Sequence, residues 1–425
     1  MTQKDFESAY FTMNEDDVRQ YVLTQMTYFD KDAELEVNEI GDGNLNYVFL
    51  IKERKMNRSL IIKQAGPVAR ISDEFVVSPD RNRIEYDILK LQGESAPGLV
   101  PKVYHYDPIM NCMSMEDLSD HQIMRDALME KKTFPNFADH ITTFMVNTLL
   151  NTSDVVMNHK EKKALVKSFV NPDLCEISED LVFTEPFYDC PRNDVFKGSK
   201  EVVENLIWSD EQLKLETAKL KFEFMTNAQS LIHGDLHTGS VFVTKDSTKI
   251  IDPEFAFYGP AGYDVGNVIA NLIFAYMNGF VTIENEQDKK SYLAYLSQTI
   301  IEVVDLFKAK FEIAWRKADK ERTAEYSGFY NYYMSRLLKD TAGTAGCELI
   351  RRTVGIAHVK DLTVIQNHEQ RIYAETICLK AGKTFILERE TFSTGEEFLN
   401  VVTKLLDKNK GAMNNGRVNN SIGEA

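Results

Sequence analysis

Two short acidic strings, separated by a predicted β-hairpin, constrain this chain more than any other feature of its sequence. The first string is LIHGDLHTGS at residues 231–240, in which Gly234 permits a sharp bend that exposes Asp235. Two runs of β-forming residues joined by a polar turn follow over residues 241–251. The second string, DPE at residues 252–254, comes directly after the hairpin. Because a hairpin folds back on itself, we expect both strings at the same end of it.

The side chains of these strings are suited to holding a metal ion. Asp235, Ser240, Asp252 and Glu254 would place three carboxylates and one hydroxyl at the mouth of the hairpin. Mg²⁺ prefers oxygen ligands of this kind, usually together with phosphate groups. A single aspartate in a loop more often belongs to a solvated turn, and this alternative stays open for each residue taken alone.

The rest of the chain changes from strand patterns to helical patterns. Residues 35–64 contain three strand patterns joined by short turns, which predict an antiparallel meander. A helix is predicted over residues 81–91, with Gly93 as its stop, and two further strands at 103–106 and 112–115. Long helical patterns then follow at residues 137–170, 199–230, 283–318, 320–341 and 364–380.

These patterns predict an α+β protein with two lobes. The predicted parts are a sheet-rich N-terminal lobe over residues 1–114, a hinge at 115–118, a helical C-terminal lobe over 119–406 and a tail over 407–425. The tail is rich in Asn and Gly and has few apolar residues to bury, so we expect it to be disordered.

Charge and cysteine content exclude several classes of protein. The 425 residues include 49 Lys and Arg against 65 Asp and Glu, and a net charge of −16 disfavours binding to nucleic acid or an anionic membrane. Five scattered cysteines disfavour a disulfide framework and a zinc site. The longest apolar stretch, at 268–277, is shorter than the ~20 residues that span a bilayer, and the N-terminus lacks a signal-peptide pattern. We therefore expect a cytoplasmic protein.

The first acidic string resembles the Brenner-type motif of the aminoglycoside phosphotransferase and choline kinase branch of the protein-kinase-like fold. In that branch, H-G-D-x-x-x-x-N is followed by a second aspartate in place of the D-F-G aspartate. Here Ser240 replaces the Asn, and the second string is D-x-E. HGDLHTGS, the later DPEFAFYGPAGYDVGN and RRTVGIAHV at 351–359 are similar to the methylthioribose kinase family. The resemblance spans roughly residues 30–400.

This resemblance implies a bilobal kinase-like fold and a specific reaction. The reaction is ATP-dependent phosphorylation of the anomeric (C1) hydroxyl of 5-methylthioribose, which gives 5-methylthioribose 1-phosphate and ADP in methionine salvage. The implied cofactors are ATP and Mg²⁺, and the implied assembly is a homodimer. Asp235 is the expected catalytic residue, and Asp252 and Glu254 are the expected metal ligands. Arg351 and Arg352, with Asp235, are expected to bind the sugar.

The N-terminal lobe offers residues for the nucleotide. Lys63 follows a buried run, where a kinase-like fold places the lysine that contacts the α- and β-phosphates, and Glu85 is its expected ion-pair partner. The turn at 41–46 is not a G-x-G-x-x-G and by itself predicts only a hairpin, but the resemblance implies that it covers the phosphates. The hinge backbone would recognise the adenine edge. The residues expected to contact ATP are Asn44, Lys63, Glu116, Asp117, Leu118, Asp252, Pro253 and Glu254.

Several residues are expected to support the site. His233 should shape the catalytic loop by hydrogen bonds, and His237 should lie nearer the substrate. Ser240 is shorter than the Asn that it replaces. Glu254 is therefore expected to serve as the metal ligand that this Asn provides in related kinases. Adjacent arginines on a helix usually point to different faces, and one of them typically forms a surface ion pair. The resemblance nevertheless favours a role at the site for at least one arginine of the pair.

Other functions remain open at this point. A related small-molecule kinase could act on homoserine, choline or an aminoglycoside, and a scaffold could bind nucleotide without turnover. Cationic acceptors call for an acidic pocket, whereas Arg351 and Arg352 would place positive charge there. The scaffold is disfavoured because Lys63, Asp235 and Asp252 are all present.

Overall fold

A computed structural model describes residues 5–40, 46–66 and 78–415 of the chain. Residues 41–45 of the predicted phosphate-covering turn, including Asn44, lie outside the described residues. The chain forms two compact units, the first from Met1–His121 with Lys249–Ala256 and the second from Gln122–Thr248 with Phe257–Ala425. The second acidic string thus belongs to the first unit, whereas the sequence patterns place it in the helical lobe.

The first unit is built on a five-stranded antiparallel sheet with the strand order β1-β2-β3-β5-β4. Its elements are α1 (Glu15–Thr24), β1 (Leu35–Glu39), β2 (Asn46–Glu53), β3 (Arg58–Ala65), α2 (Arg81–Ser95), β4 (Val103–Asp107) and β5 (Cys112–Met115). The predicted meander and the two further strands are confirmed. Strand β3 lies at the centre of the sheet and is buried from Leu60 onwards, so Lys63 is held inside the unit.

Helix α2 is longer than predicted, because it continues through Gly93 to Ser95. A glycine inside a helix costs only about 1 kcal/mol relative to alanine, and packing can outweigh that cost. A Cβ at Gly93 would meet Val100 at an ordinary 3.6 Å.

The second unit is mainly helical, which confirms the α+β prediction. Its helices are α3 (Met124–Met129), α4 (Phe137–Asn151), α5 (His159–Ser168), α6 (Pro172–Leu181), α7 (Lys200–Val203), α8 (Glu211–Thr226), α9 (Gly262–Thr282), α10 (Glu286–Lys317), α11 (Phe329–Val354), α12 (Lys360–Thr363), α13 (His368–Leu387) and α14 (Gly395–Asn415). The remaining short strands of the chain are β6 (Gln122–Ile123), β7 (Ser230–Ile232), β8 (Val241–Val243), β9 (Thr248–Ile250) and β10 (Phe257–Gly259).

Several of the predicted segments differ from the structure. The helical pattern over 199–230 is divided into α7, a π-helical turn at Glu204–Trp208 and α8, and α11 begins only at Phe329, whereas the pattern predicted a helix from residue 320. The pattern over 137–170 is divided into α4 and α5, and α14 runs to Asn415 through the first part of the tail that was predicted to be disordered. The part of α14 that precedes the tail buries Phe398, Val402 and Leu406 on one face at helical spacing, and the helix continues from there into the tail.

Helices α9 and α11 form the centre of the second unit. Helix α9 is long and apolar enough to cross a membrane by length and composition, but 89% of its apolar window is buried inside the structure, so it is a core helix. A Cβ at Gly266 would lie 2.5 Å from the backbone oxygen of Thr341, and a Cβ at Gly346 would lie 2.5 Å from that of Gly382. These contacts leave no room for a side chain between α11 and its neighbours α9 and α13.

We predict that Gly346→Ala lowers the free energy of unfolding by about 1–3 kcal/mol, because the new methyl group collides with the α13 backbone. Gly93→Ala should instead raise the free energy of unfolding by about 0.5–1 kcal/mol, because the new Cβ has room and alanine favours the helix. Urea titrations followed by circular dichroism measure both values. Equal stability of the Gly346→Ala variant and the wild type would contradict the close packing of α11.

Candidate active site

The predicted catalytic loop follows β7, and hydrogen bonds to its backbone hold it in place. Gly234 has φ +83°, a left-handed conformation that glycine adopts without strain, and this confirms the predicted bend before Asp235. The buried carboxylate of Asp264, near the start of α9, accepts hydrogen bonds from the backbone N–H groups of His233 at 2.7 Å and Gly234 at 3.0 Å. Asp264 therefore ties the bend to the core helix.

Three of the four predicted supporting residues, His233, His237 and Ser240, form hydrogen bonds within the loop around Asp235. His233 accepts a hydrogen bond at Nδ1 from the Asp235 backbone N–H at 3.3 Å. The Ser240 hydroxyl donates to the Asp235 carbonyl at 3.1 Å. His237 accepts at Nδ1 from Gly239, which leaves the proton of a neutral imidazole on Nε2, 3.2 Å from Oδ2 of Asp235.

Both arginines of the pair reach Asp235. The Nη2 atoms of Arg351 and Arg352 each donate to Oδ1 of Asp235 at 3.3 Å. Both Nε atoms face the same buried carboxylate, that of Glu348, with Arg352 at 3.0 Å and Arg351 closer. The usual divergence of adjacent arginines does not apply here, because one glutamate a turn earlier binds both.

Charges around Asp235 keep it ionised. Burial alone would raise the pKa of Asp235, but His237, Arg352 and Arg351 outweigh it and hold that pKa well below its usual range. Burial, together with Arg125 and Arg352, outweighs the effect of Asp235 and lowers the pKa of His237, so the neutral imidazole is its main form at pH 7. The site therefore presents a carboxylate that is ionised at any pH near neutrality.

The first unit holds a second group of charged residues. Lys63 Nζ lies 2.7 Å from the carboxylate of Glu85, its predicted partner on α2, and 2.6 Å from Oδ1 of Asp252. Burial alone would lower the pKa of Lys63, but Asp252, Glu85 and Glu254 outweigh it and raise that pKa. Asp252 has φ +58°, an uncommon conformation outside glycine, and its side chain is 46% exposed although Lys63 is buried.

Glu254 is held differently from Asp252. Its Oε2 accepts a hydrogen bond from Asn46 at 3.2 Å and lies 3.5 Å from Nε of Arg81. Burial raises the pKa of Glu254, and burial also raises the pKa of Glu85 to about 8. In this group, the carboxylates therefore outnumber the cations that face them.

The predicted hinge residues are partly engaged with other groups. The backbone N–H of Glu116 donates to the Lys102 carbonyl at 2.8 Å, and its carboxylate lies 3.2 Å from Lys249 Nζ. Asp117 accepts from the Ser119 backbone N–H at 2.9 Å, and the Leu118 carbonyl accepts from His121 at 2.9 Å. Pro253 begins a short 3₁₀ turn that follows Asp252.

The expected metal ligands fit a hard cation only in part. Among the described residues, no group of three or more His, Cys, Asp or Glu side chains is arranged to hold a metal ion. Asp235 and Ser240 belong to the second unit, and Asp252 and Glu254 to the first. The partly exposed carboxylate of Asp252 is a suitable oxygen ligand. The carboxylates around Lys63 also leave an excess of negative charge that a divalent cation would balance.

The sequence patterns missed several residues of both groups. Asn46 and Arg81 bind Glu254 in the first unit, and Glu348 and Asn271 lie behind the arginine pair in the second. Glu348 left a signal in the sequence, because E-x-x-R-R places one carboxylate three and four residues before two arginines. Asn46 and Asn271 left none, because their partners are distant in sequence.

Comparisons with known proteins agree with this geometry. Residues 200–296, which include the catalytic loop, match the phosphotransferase enzyme family APH. A methylthioribose kinase of Bacillus pumilus is 44% identical over 86% of this chain and 90% of its own. A methylthioribose kinase of Geobacillus is 43% identical over 88% of this chain and 92% of its own.

Among solved structures, an ethanolamine kinase of Plasmodium vivax aligns with 95% of this chain and 91% of its own at 13% identity and a TM-score of 0.43. The extent of the sequence identity, rather than this distant structural likeness, decides the assignment. The chain belongs to the methylthioribose kinase family of phosphotransferases, which use ATP.

Proposed function

We propose that this chain transfers the γ-phosphoryl group of ATP to the C1 hydroxyl of 5-methylthioribose, giving 5-methylthioribose 1-phosphate and ADP. The observation that carries the proposal is the ionised carboxylate of Asp235, which accepts hydrogen bonds from both Arg351 and Arg352 in a chain 44% identical to a methylthioribose kinase. The product fits a place in methionine salvage, where a methylthio sugar is returned to metabolism.

Asp235 would orient the sugar hydroxyl. A carboxylate offers about four acceptor positions, and the described donors Arg351, Arg352 and His237 use three of them. The remaining position lies on Oδ2, and there the C1 hydroxyl would donate its hydrogen bond. Because its pKa is so low, Asp235 is a weak base, which suits a transfer in which the proton leaves late.

The arginine pair would act on the acceptor side. Guanidinium groups donate hydrogen bonds to sugar oxygens and stabilise negative charge that develops on the transferring phosphoryl group. Because the two arginines balance the carboxylates of Asp235 and Glu348, the network has no surplus of negative charge to attract a cationic acceptor such as choline or an aminoglycoside. This balance of charge supports the neutral sugar over those alternatives.

The first unit would hold the nucleotide. Lys63, fixed between Glu85 and Asp252, carries the positive charge that would contact the α- and β-phosphates. Asn44, Pro253 and the hinge residues 116–118 stay predicted nucleotide contacts. Asp252, with Glu254 two residues later, would hold Mg²⁺ by its carboxylate oxygens. When bound, Mg²⁺ neutralises charge on the phosphates.

The homodimer implied by the resemblance and the cytoplasmic location expected from the sequence remain proposals. Light scattering on the purified chain measures the first. A mass near twice 48.7 kDa would support the dimer, and a mass near 48.7 kDa would contradict it.

A panel of acceptors tests the proposed function. With ATP and Mg²⁺, we expect ATP consumption with 5-methylthioribose and at least about 100-fold less with choline, homoserine or kanamycin, because each lacks the groups that the site would bind. Ribose, which lacks the methylthio group, separates recognition of the sugar from recognition of the sulfur substituent. A preference for choline or kanamycin would contradict the sugar assignment, and silence with all five acceptors would favour a nucleotide-binding scaffold.

Asp235→Asn should lower kcat by about 10²–10⁴-fold, because the amide is nearly the same size but cannot accept a proton or hold the arginine pair as a carboxylate does. ATP binding, measured by calorimetry, should be nearly unchanged. Asp246→Asn is the matched control, because Asp246 is an exposed residue in the turn of the same hairpin. More than about 1% of the wild-type rate in Asp235→Asn would remove Asp235 from this role.

Arg351→Ala and Arg352→Ala should each lower kcat/KM for the sugar by roughly 10–100-fold, the value of one or two hydrogen bonds from a charged group. The KM for ATP should change little. Arg336→Ala on the same helix is the control, because that guanidinium pairs with Glu223 near the surface. Wild-type kinetics in both variants would contradict the assignment of the pair to the acceptor.

A further inference from the structure

Arg351 and Arg352 are adjacent on a helix, yet both donate a hydrogen bond to the same atom, Oδ1 of Asp235. Successive residues of an α-helix are rotated by about 100°, so neighbouring side chains start in different directions. Even so, the Nη2 atoms of both arginines lie 3.3 Å from Oδ1 of Asp235. Something must turn the two guanidinium groups towards each other and keep them there.

Glu348 is placed to do this. It precedes the arginines by three and four residues on α11, so it lies between them on the face that they share. Its Oε2 accepts from Nε of Arg351 and its Oε1 accepts from Nε of Arg352 at 3.0 Å. With each Nε fixed in this way, the Nη2 atoms at the far ends of both guanidinium groups reach Asp235.

The Glu348 carboxylate is itself ionised and fixed. Its side chain is 1% exposed, and burial alone would raise its pKa, but Arg351 and Arg352 outweigh burial and lower that pKa to about 2. Asn271 on α9 donates Nδ2 to Oε1 of Glu348 at 3.1 Å, which holds the carboxylate from a second helix. Asn271 in turn accepts at Oδ1 from Nη2 of Arg125 at 3.1 Å.

We propose that Glu348 is a positioning residue of the acceptor site, which aligns both arginines on Asp235 and acts on catalysis only through them. The inference rests on the proposed role of the arginine pair. It adds that the two arginines work as one unit set by a single buried carboxylate. A glutamine at this position has one acceptor oxygen and one NH₂ donor, so it can hold one Nε and must face the other with a donor.

We therefore expect Glu348→Gln to lower kcat/KM for the sugar by about 10–100-fold while the KM for ATP stays within about twofold, because the loss lies in the geometry of the acceptor groups. Glu375→Gln is the matched control. Glu375 is a buried glutamate on α13 whose carboxylate accepts from Nε of Arg371 at 2.8 Å, also four residues away. The Glu375→Gln variant should be destabilised about as much as Glu348→Gln, while its kcat/KM for the sugar stays within about twofold of the wild type.

Glu348→Asp covers the case in which the glutamine variant does not fold. It keeps the charge, so the unit should fold, but it is one methylene shorter and cannot reach both Nε atoms. We expect a kinetic loss for the sugar here too. Wild-type kinetics in a folded Glu348 variant, alongside losses in Arg351→Ala and Arg352→Ala, would overturn the inference and leave the proposed function intact.

A combined variant separates positioning from a merely structural role. In the Arg351→Ala/Arg352→Ala background, Glu348→Gln should cause no further loss of kcat/KM, because there is nothing left to position. It should also raise the melting temperature of that background, because it removes a buried charge that has lost its partners. A further kinetic loss of the same size as in the wild type would overturn the inference. Wild-type kinetics in the arginine variants themselves would overturn the proposed function and the inference with it.

Discussion

The buried ion network from Asp235 through the arginine pair to Glu348 is the interaction on which the second unit depends. A charge inside a protein is costly unless opposite charges and hydrogen bonds surround it. Here the carboxylates of Asp235 and Glu348 face Arg351 and Arg352, and the low pKa values of both carboxylates show that pairing outweighs burial. Such pairing requires the loop, α9 and α11 to be held closely, which the glycine contacts at the helix crossings allow.

In the first unit, buried charges are also paired, but here the carboxylates outnumber the cations. Lys63 and Arg81 face three carboxylates, those of Glu85, Asp252 and Glu254, and two of these carboxylates have raised pKa values. This unit therefore has a surplus of acceptors for positive charge, whereas the network around Asp235 is closely matched. A surplus suits a place that takes up a nucleotide with its metal ion, and a matched network suits a place that holds a neutral sugar in one orientation.

Much of the fold, and the residues at the centre of the candidate site, could be predicted from the sequence. Alternation and turns predicted the strands of the first unit, and the two acidic strings predicted Asp235 and Asp252. The rest depended on contacts between distant residues, such as the hydrogen bond of Asn46 to Glu254, which lies 208 residues later. Local patterns also misjudged Gly93 and the start of the tail, where packing of neighbouring residues outweighs the preference of a single residue or a polar composition.

The membership of Lys249–Ala256 in the first unit has a consequence for how the chain is made. The ribosome completes the sheet of this unit early, but Asp252 and Glu254 emerge only after residues 122–248 of the other unit have been synthesised. Until then Lys63 has Glu85 as a partner but lacks both later carboxylates. The first unit therefore cannot be obtained whole by cutting the chain at residue 121, and any split or shuffled version of this enzyme has to carry the eight-residue segment with it.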